Sequence, residues 1–134
     1  MTENATRAVR CALAMREQLR SLNARWAAQG LPAVAMRVGI YTGPLVAGSL
    51  GGRQRLEYAV VGDTVNIASR LESFDKEACQ VAGSACRVLI GESTLHYLHG
   101  RFQVEAVGQA KLKGKSQTVA VYRVDGEILE RGED

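Results

Sequence analysis

The N-terminal part of the chain has apolar residues at steps of three and four positions. Between residues 6 and 29 these are Ala8, Ala12, Met15, Leu19, Leu22 and Trp26. The spacing places them on one side of an α-helix, so it predicts a long amphipathic helix whose apolar stripe packs into the core. Gly30 ends the pattern and Pro32 cannot continue a helix, so we expect the helix to stop there.

Later apolar runs are short and contain β-branched or alternating apolar residues, which is typical of strands. We predict strands at residues 34–41, 56–61, 87–90, 102–107 and 118–124. The glycine-rich stretch at 45–56 is not followed by the lysine and hydroxyl residue of a phosphate-binding loop, so we predict a hairpin there. We expect the strands at 34–41, 56–61, 102–107 and 118–124 to share one sheet. We do not assign the short strand at 87–90 to a sheet.

A second helical pattern follows the strand at 56–61. Gly62 and Asp63 mark a turn, and the Asp63 carboxylate can cap a helix that runs to about residue 76. The face predicted to lie against the core consists of Val65, Ala68 and Leu71. With a further short helix at 91–97, the order α-β-β-β-α-β-α-β-β predicts an α+β fold, in which helices pack on one face of a mostly antiparallel sheet.

Asn66 and Arg70 lie four positions apart on this second helix, so their side chains lie one above the other, away from the apolar face. We place both near the N-terminal end of the helix, where backbone amides and the helix dipole favour anions. An arginine guanidinium beside an amide suits a phosphate group or an oxyanion. From the residues alone, a solvated helix face without a ligand explains the same pattern.

Length and composition fit one globular domain. The 134 residues are 46% hydrophobic and 23% charged, and the formal net charge of +3 comes from scattered basic residues, which gives no reason to expect nucleic acid as a partner. The chain has neither an apolar run long enough to span a membrane nor a basic leader. Its three cysteines lack metal-site spacing. We therefore expect a cytoplasmic chain with reduced thiols and no direct membrane contact of its own, either as a cytoplasmic protein or as the cytosolic end of a membrane-anchored one.

Three segments carry a resemblance to a family of enzymes. They read R-V-G-I-Y-T-G-P-L-V-A-G (37–48), E-Y-A-V-V-G-D-T-V-N-I-A-S-R-L-E (57–72) and K-L-K-G-K-S-Q-T-V-A-V-Y (111–122). In them the chain resembles the class III adenylate/guanylate cyclase catalytic domain. The resemblance implies a cyclase-type, ferredoxin-like α+β fold. It also implies that cyclic AMP and pyrophosphate are formed from ATP at a head-to-tail dimer interface, in intracellular signalling.

The resemblance also implies roles for individual residues. Asn66 and Arg70 match the family's asparagine and arginine, so Asn66 would position the ribose and Arg70 would stabilise the α-phosphate in the transition state. Lys113 matches a lysine that meets the terminal phosphates, and the alternative is an exposed charge on a hairpin.

The base-reading position falls at Ala59, where several relatives carry Asp or Thr. Alanine cannot hydrogen-bond a purine through its side chain. Base choice would then depend on the backbone near Val60 and Val65 and on a partner lysine that is absent from this chain. We expect ATP rather than GTP as substrate, with guanylate cyclase as the alternative.

The chain departs from the family at its start. The segment that bears the family's two metal-binding aspartates has no counterpart here, so the resemblance implies a catalytic domain truncated at the N-terminus at 1–126 and a charged tail at 127–134. Mg²⁺ or Mn²⁺ would be held by that missing segment or by a partner subunit. The isolated chain is expected to be inactive and prone to self-association as a homodimer or larger species. The alternative function is a non-catalytic, cyclase-like dimerisation or regulatory module.

Overall fold

A computed structural model describes residues 2–44, 46–50, 57–61, 63–74, 86–111 and 118–128, with the backbone alone at residue 2, 46–50 and 57–61. In these residues the helices are α1 (Thr2–Ala28), α2 (Asp63–Ser73) and α3 (Glu92–Leu98). The strands are β1 (Met36–Ile40), β2 (Val46–Leu50), β3 (Glu57–Val61), β4 (Cys86–Gly91), β5 (Phe102–Lys111) and β6 (Thr118–Glu127). The order of elements is the predicted one, and the α+β class is confirmed.

Four of the described strands form one sheet in the order β1-β4-β6-β5. β1 and β4 are parallel because the chain between them crosses over through α2, whereas β6 is antiparallel to both β4 and β5. β2 and β3 pair antiparallel in a sheet of their own. The prediction that residues 56–61 share the sheet of the other three strands is therefore wrong. That strand, β3, pairs within its own hairpin, and β4 takes the place beside β1.

Both faces of the four-stranded sheet are covered by helices. All six residues of β4 are buried, and its side chains alternate between the faces. Val88 and Ile90 pack in the core formed with α1 and α3, whereas Leu89 packs in the core formed with α2. The expectation of helices on one face is wrong for α2, because the crossover from β1 to β4 carries this helix to the opposite face.

Helix α1 confirms the predicted long helix, but its buried stripe is only partly the predicted one. The buried apolar residues are Ala5, Val9, Ala12 and Leu19. Met15 is instead 42% exposed, and Arg16 takes the inward place, where its guanidinium donates a hydrogen bond of 2.9 Å to the backbone oxygen of Asp125. The helical period fits a stripe through positions 8 and 15 as well as it fits one through positions 9 and 16. Periodicity alone therefore does not decide which stripe faces the core.

The outer side of α1 is charged. Its 27 residues include the surface ion pairs Glu3–Arg7, at 3.3 Å, and Glu17–Arg20, at 3.0 Å. Across the helices within the described ranges, none combines the length and the apolar character that crossing a membrane requires.

Candidate functional site

Helix α2 carries the two residues that the sequence pattern singled out. Its buried side chains are Thr64, Ile67 and Leu71, whereas Val65 and Ala68 are half-buried. The predicted core face is thus correct for Leu71, and Ile67 occupies the central place that was expected for Ala68. The helix is rotated slightly from the expected orientation because the larger Ile67 side chain removes more apolar surface from water than alanine can.

Asn66 and Arg70 are both exposed on the side of α2 that faces away from the sheet. They are one helical turn apart, so their side chains project from neighbouring positions on the same face. Neither side chain has a hydrogen-bond or ion-pair partner among the residues that the structure describes. Their donor groups are therefore available to a ligand or to a second protein chain.

The two residues differ in their relation to the helix dipole. Asn66 lies in the first half of α2, but Arg70 lies in the last turn of this 11-residue helix. The prediction that both sit near the N-terminal end is wrong for Arg70, because the helix ends at Ser73 rather than near residue 76. A cation is favoured near a helix C-terminus, so the dipole stabilises the Arg70 guanidinium itself and adds nothing to anion binding there.

The last turn of α2 lies directly on strand β1. A Cβ atom added to Gly39 would be 2.5 Å from the backbone nitrogen of Glu72 and 2.6 Å from the backbone oxygen of Ala68. Only a residue without a side chain allows this approach. A glycine inside an apolar strand is a sequence signal for such close backbone contact.

Glu72, near the end of α2, is held by arginines from two strands. Arg37 Nε of β1 donates hydrogen bonds to Glu72 Oε2 at 2.8 Å and to the Glu72 backbone oxygen at 3.2 Å. Arg87 Nη2 of β4 donates to the same backbone oxygen at 3.0 Å. Sequence reasoning missed this group, and the place of Arg37 at the start of the first family-like segment is the one signal that could have indicated it.

The other end of α2 is fixed to the segment that follows β1. The Thr64 hydroxyl donates a hydrogen bond to the backbone oxygen of Pro44. The backbone oxygen of Thr42 accepts a hydrogen bond of 2.6 Å from the Ser93 hydroxyl of α3, and the Thr42 and Thr94 hydroxyls are hydrogen-bonded at 2.9 Å. The start of α2, and with it Asn66, is thus tied to the same strand as its end.

Lys113 lies outside the described residues, in the connection between β5 and β6. The two strands are antiparallel, and Lys111 pairs with Thr118, which confirms the predicted pairing of the strands that flank this connection. Gly108 lies next to a register shift in β5, and a Cβ atom added to it would be 3.0 Å from the ring of Phe74. The residue that follows α2 therefore packs on the strand that leads to Lys113. The role of Lys113 remains a prediction.

The positions predicted to contact the purine base lie around the junction of β3 and α2. The backbone of Ala59 pairs with Gly48, and that of Val60 with Ala47, in the β2–β3 hairpin. Val65 follows in the first turn of α2, where it is half-buried. The side chains of Ala59 and Val60 lie outside the described part of the structure, so their contribution to base choice stays a prediction.

Titratable side chains do not gather into a metal site in the described ranges. There, no group of three or more His, Cys, Asp and Glu side chains is placed to hold a metal ion. The described residues thus do not fit the metal centre that the family resemblance implies. Cys11 is exposed and Cys86 is buried. Burial raises the pKa of the Cys86 thiol, while the nearby charge of Arg16 opposes the shift.

Comparison with known proteins places the chain in a family. Residues 1–126 match the adenylate and guanylate cyclase catalytic domain. The chain therefore belongs to this family of lyases, which form cyclic nucleotides, and the resemblance drawn from the three segments is confirmed. Domains of the family bind nucleoside triphosphates and dimerise, and they generally use divalent metal ions.

Individual relatives include both kinds of cyclase. Adenylate cyclase 1 of Rhizobium meliloti (strain 1021) is 39% identical over 127 residues, which cover 95% of this chain and 18% of that protein. The crystal structure of the adenylyl cyclase CyaB from P. aeruginosa aligns with a TM-score of 0.80 at 31% identity, covering 98% of this chain and 63% of that one. The crystal structure of the guanylyl cyclase Cya2 aligns with a TM-score of 0.79 at 31% identity, covering 95% and 60%. The chain thus spans less than two thirds of each of these relatives.

Proposed function

We propose that this chain supplies the asparagine and arginine half of a class III adenylate cyclase active site, which forms cyclic AMP and pyrophosphate from ATP. One observation carries the proposal: Asn66 and Arg70 project from the same exposed face of α2, with no hydrogen-bond or ion-pair partner among the described residues. A helix whose ends are both fixed to β1 and its extension holds these donors in place before a substrate arrives. Preorganised donors of this kind are what stabilise a charged transition state.

The reaction requires charge stabilisation at one phosphorus atom. The ribose 3′-oxygen attacks the α-phosphorus and forms a new O–P bond, while the bond from that phosphorus to the oxygen bridging to the β-phosphate breaks. Pyrophosphate leaves, and the hydroxyl proton passes to a base or to solvent. Arg70 can donate two hydrogen bonds to the α-phosphate oxygens as their charge grows, and the Asn66 amide can bind the ribose.

Lys113 and the base-contacting positions complete the proposed substrate contacts. The Lys113 ammonium group, between β5 and β6 in the chain, would bind the terminal phosphates and stabilise the charge on departing pyrophosphate. Ala59, Val60 and Val65 would surround the purine without a side-chain hydrogen bond, so the base would be read through backbone groups and the partner subunit. These assignments follow the family motif residue by residue.

The proposal includes a second subunit in a head-to-tail dimer. The described residues hold no metal site, and the ligands of Mg²⁺ or Mn²⁺ are assigned to the family's aspartate-bearing segment, which has no counterpart in this sequence, or to the partner subunit. In this arrangement the catalytic domain corresponds to residues 1–126 and a charged tail to residues 127–134, the first of which, Glu127, is also the last residue of β6. A cytoplasmic setting follows from the substrate, since ATP is abundant there.

Guanylate cyclase is the second candidate, and a specific observation favours it. The guanylyl cyclase Cya2 is as similar in structure to this chain as the adenylyl cyclase CyaB is, with TM-scores of 0.79 and 0.80. ATP remains our choice because Adenylate cyclase 1 of Rhizobium meliloti covers 95% of the chain at 39% identity. Turnover of ATP and of GTP by the same preparation decides between the two, and a larger kcat/KM for GTP would reject the adenylate assignment.

The roles of Asn66 and Arg70 are tested in a complete catalytic domain that contains this sequence. We expect Asn66→Ala and Arg70→Ala each to lower kcat by on the order of 10²–10³, the cost of losing one transition-state donor. Ser69→Ala serves as the matched control, because Ser69 is an exposed neighbour on the same helix and has no assigned role. Unchanged kcat in the Arg70→Ala variant would refute the proposed function.

A further inference from the structure

The C-terminal turn of α2 is held by two arginines at one level of the sheet. Arg37 of β1 and Arg87 of β4 are register partners on neighbouring parallel strands. Both guanidinium groups donate to the backbone oxygen of Glu72, and Arg37 also binds the Glu72 carboxylate. Two arginine side chains from two strands thus meet at one residue of the helix.

Electrostatics explains why two like charges lie side by side here. Paired positions on adjacent strands bring side chains close, so two arginines repel each other unless negative groups lie between them. The Glu72 carboxylate supplies one negative charge, and the last carbonyl groups of α2 supply the negative end of the helix dipole. Arg87 is only 5% exposed, and a charge so buried requires compensation of this kind.

The ion pair itself contributes little to stability. The side chains of Arg37 and Glu72 are 39% and 40% exposed, and ion pairs at exposed sites typically contribute about 0.2–1 kcal/mol. Its consequence is therefore local. It fixes the position of the last helical turn rather than the fold as a whole.

That last turn carries Arg70. Gly39 sets how closely α2 approaches β1, and the contacts to Glu72, two residues after Arg70, set where the helix end lies along the strand. Arg70 projects from the opposite, exposed side of the same turn. A shift of the helix end is therefore transmitted directly to the backbone of Arg70.

We propose that Arg37, Glu72 and Arg87 are positioning residues that hold Arg70 at the height and angle its reaction requires. We call these three residues the Glu72 clamp. The proposal rests on the proposed function, because it assigns the clamp an effect on turnover that acts through Arg70. A clamp of purely structural value would change the free energy of unfolding without a selective effect on kcat.

The test is a double-mutant cycle in the complete catalytic domain, with kcat and KM measured for each variant. Glu72→Gln keeps the shape of the side chain and the backbone oxygen, and it removes the charge that binds Arg37. We expect kcat to fall about tenfold with little change in KM, because misplacing a catalytic group by a fraction of an ångström to 1 Å costs up to about 10²-fold. In the Arg70→Ala background the same substitution should change kcat by less than about twofold, since coupled residues are not additive.

Glu127→Gln is the matched control. Like Glu72→Gln, it removes a carboxylate that is bound by an arginine, here Arg10 at 2.6 Å. This ion pair lies at the contact between α1 and β6, away from α2. This control should leave kcat unchanged in both backgrounds.

The outcomes separate the two proposals. An equal fall of kcat in both backgrounds, or an unchanged kcat in Glu72→Gln, overturns the clamp while the role of Arg70 stands. An unchanged kcat in Arg70→Ala alone rejects the proposed function and the clamp with it.

Should Glu72→Gln fail to fold, Arg37→Gln replaces it in the cycle, because this variant keeps the bond from Arg87 to Glu72. Hydrogen exchange supplies a readout independent of activity: amides of residues 63–74 should exchange faster in the variant, and equal exchange contradicts the clamp.

Discussion

Gly39 and Glu72 are in backbone contact: a Cβ atom on Gly39 would lie 2.5 Å from the Glu72 backbone nitrogen. Neither the backbone of β1 nor that of α2 can give way easily at this distance, so Gly39→Ala must push α2 away from β1. We predict a loss of about 1–3 kcal/mol in the free energy of unfolding, the usual cost of overpacking, together with reduced turnover in a complete domain.

Urea unfolding monitored by circular dichroism measures the stability change. Gly126→Ala is the control, because a Cβ atom at Gly126 would have no heavy atom within 4 Å. Equal stability of the Gly39→Ala and Gly126→Ala proteins would contradict the close packing of α2 on β1.

The ion pair between Arg10 and Glu127 predicts a dependence of stability on pH. The hydrogen bond from Arg10 lowers the pKa of Glu127; desolvation opposes this shift, and the charges of Arg10 and Arg101 add to it. A carboxylate whose pKa is lower in the folded state stabilises the fold at pH values above its unfolded pKa. This stabilisation is lost as the pH falls through the folded pKa.

Thermal unfolding of the wild type and of Glu127→Gln should therefore differ at neutral pH, with the wild type more stable, and the difference should shrink as the pH is lowered through the folded pKa of Glu127. Glu17→Gln is the matched control, since its carboxylate pairs with Arg20 within α1 alone at 3.0 Å and exposed pairs of this kind contribute little. A difference between wild type and Glu127→Gln that grows toward acid pH would show that the ion pair has been assigned the wrong sign.

Lys113 is predicted to bind the terminal phosphates of the substrate. In a complete domain, Lys113→Ala should raise the KM for the nucleoside triphosphate by about tenfold, the effect expected from losing one hydrogen bond to a charged group. Lys115→Ala, two residues further along the chain, controls for a general loss of positive charge. Equal KM values for the two variants would favour the simpler interpretation of Lys113 as an exposed hairpin charge.

The sequence predicted the elements well, because hydrophobic period and glycine positions are local properties. It placed the first strand two residues too early, and the reason is a long-range contact. The backbone amide and oxygen of Val34 are bonded to the Asn23 side chain, both at 2.9 Å, and Val34 is 48% exposed. A side chain of α1 thus takes the place of a neighbouring strand, which no pattern around residue 34 reveals.

The candidate site shows the same division between local and long-range information. The spacing of Asn66 and Arg70 correctly predicted two exposed neighbours on one helix face, because helical geometry alone determines it. The contacts of Glu72 with Arg37 and Arg87 depend on the parallel pairing of β1 and β4. These strands are far apart in the sequence, so local patterns do not predict which of their residues are register partners. The side of the sheet on which α2 lies depends on the same crossover, so it was also beyond prediction from local pattern.

Complementation between subunits tests the central claim most directly. The partner in this test is a complete cyclase domain that keeps its metal-binding aspartates and carries Arg70→Ala, so it lacks the transition-state arginine. Addition of the 134-residue chain should restore cyclic AMP formation from ATP, because the chain donates Asn66 and Arg70 across the dimer interface. The chain alone should form none, and the same chain carrying Arg70→Ala should restore none. Restoration by both versions of the chain, or a failure of the wild-type chain to restore activity although it co-elutes with the domain, would contradict the account.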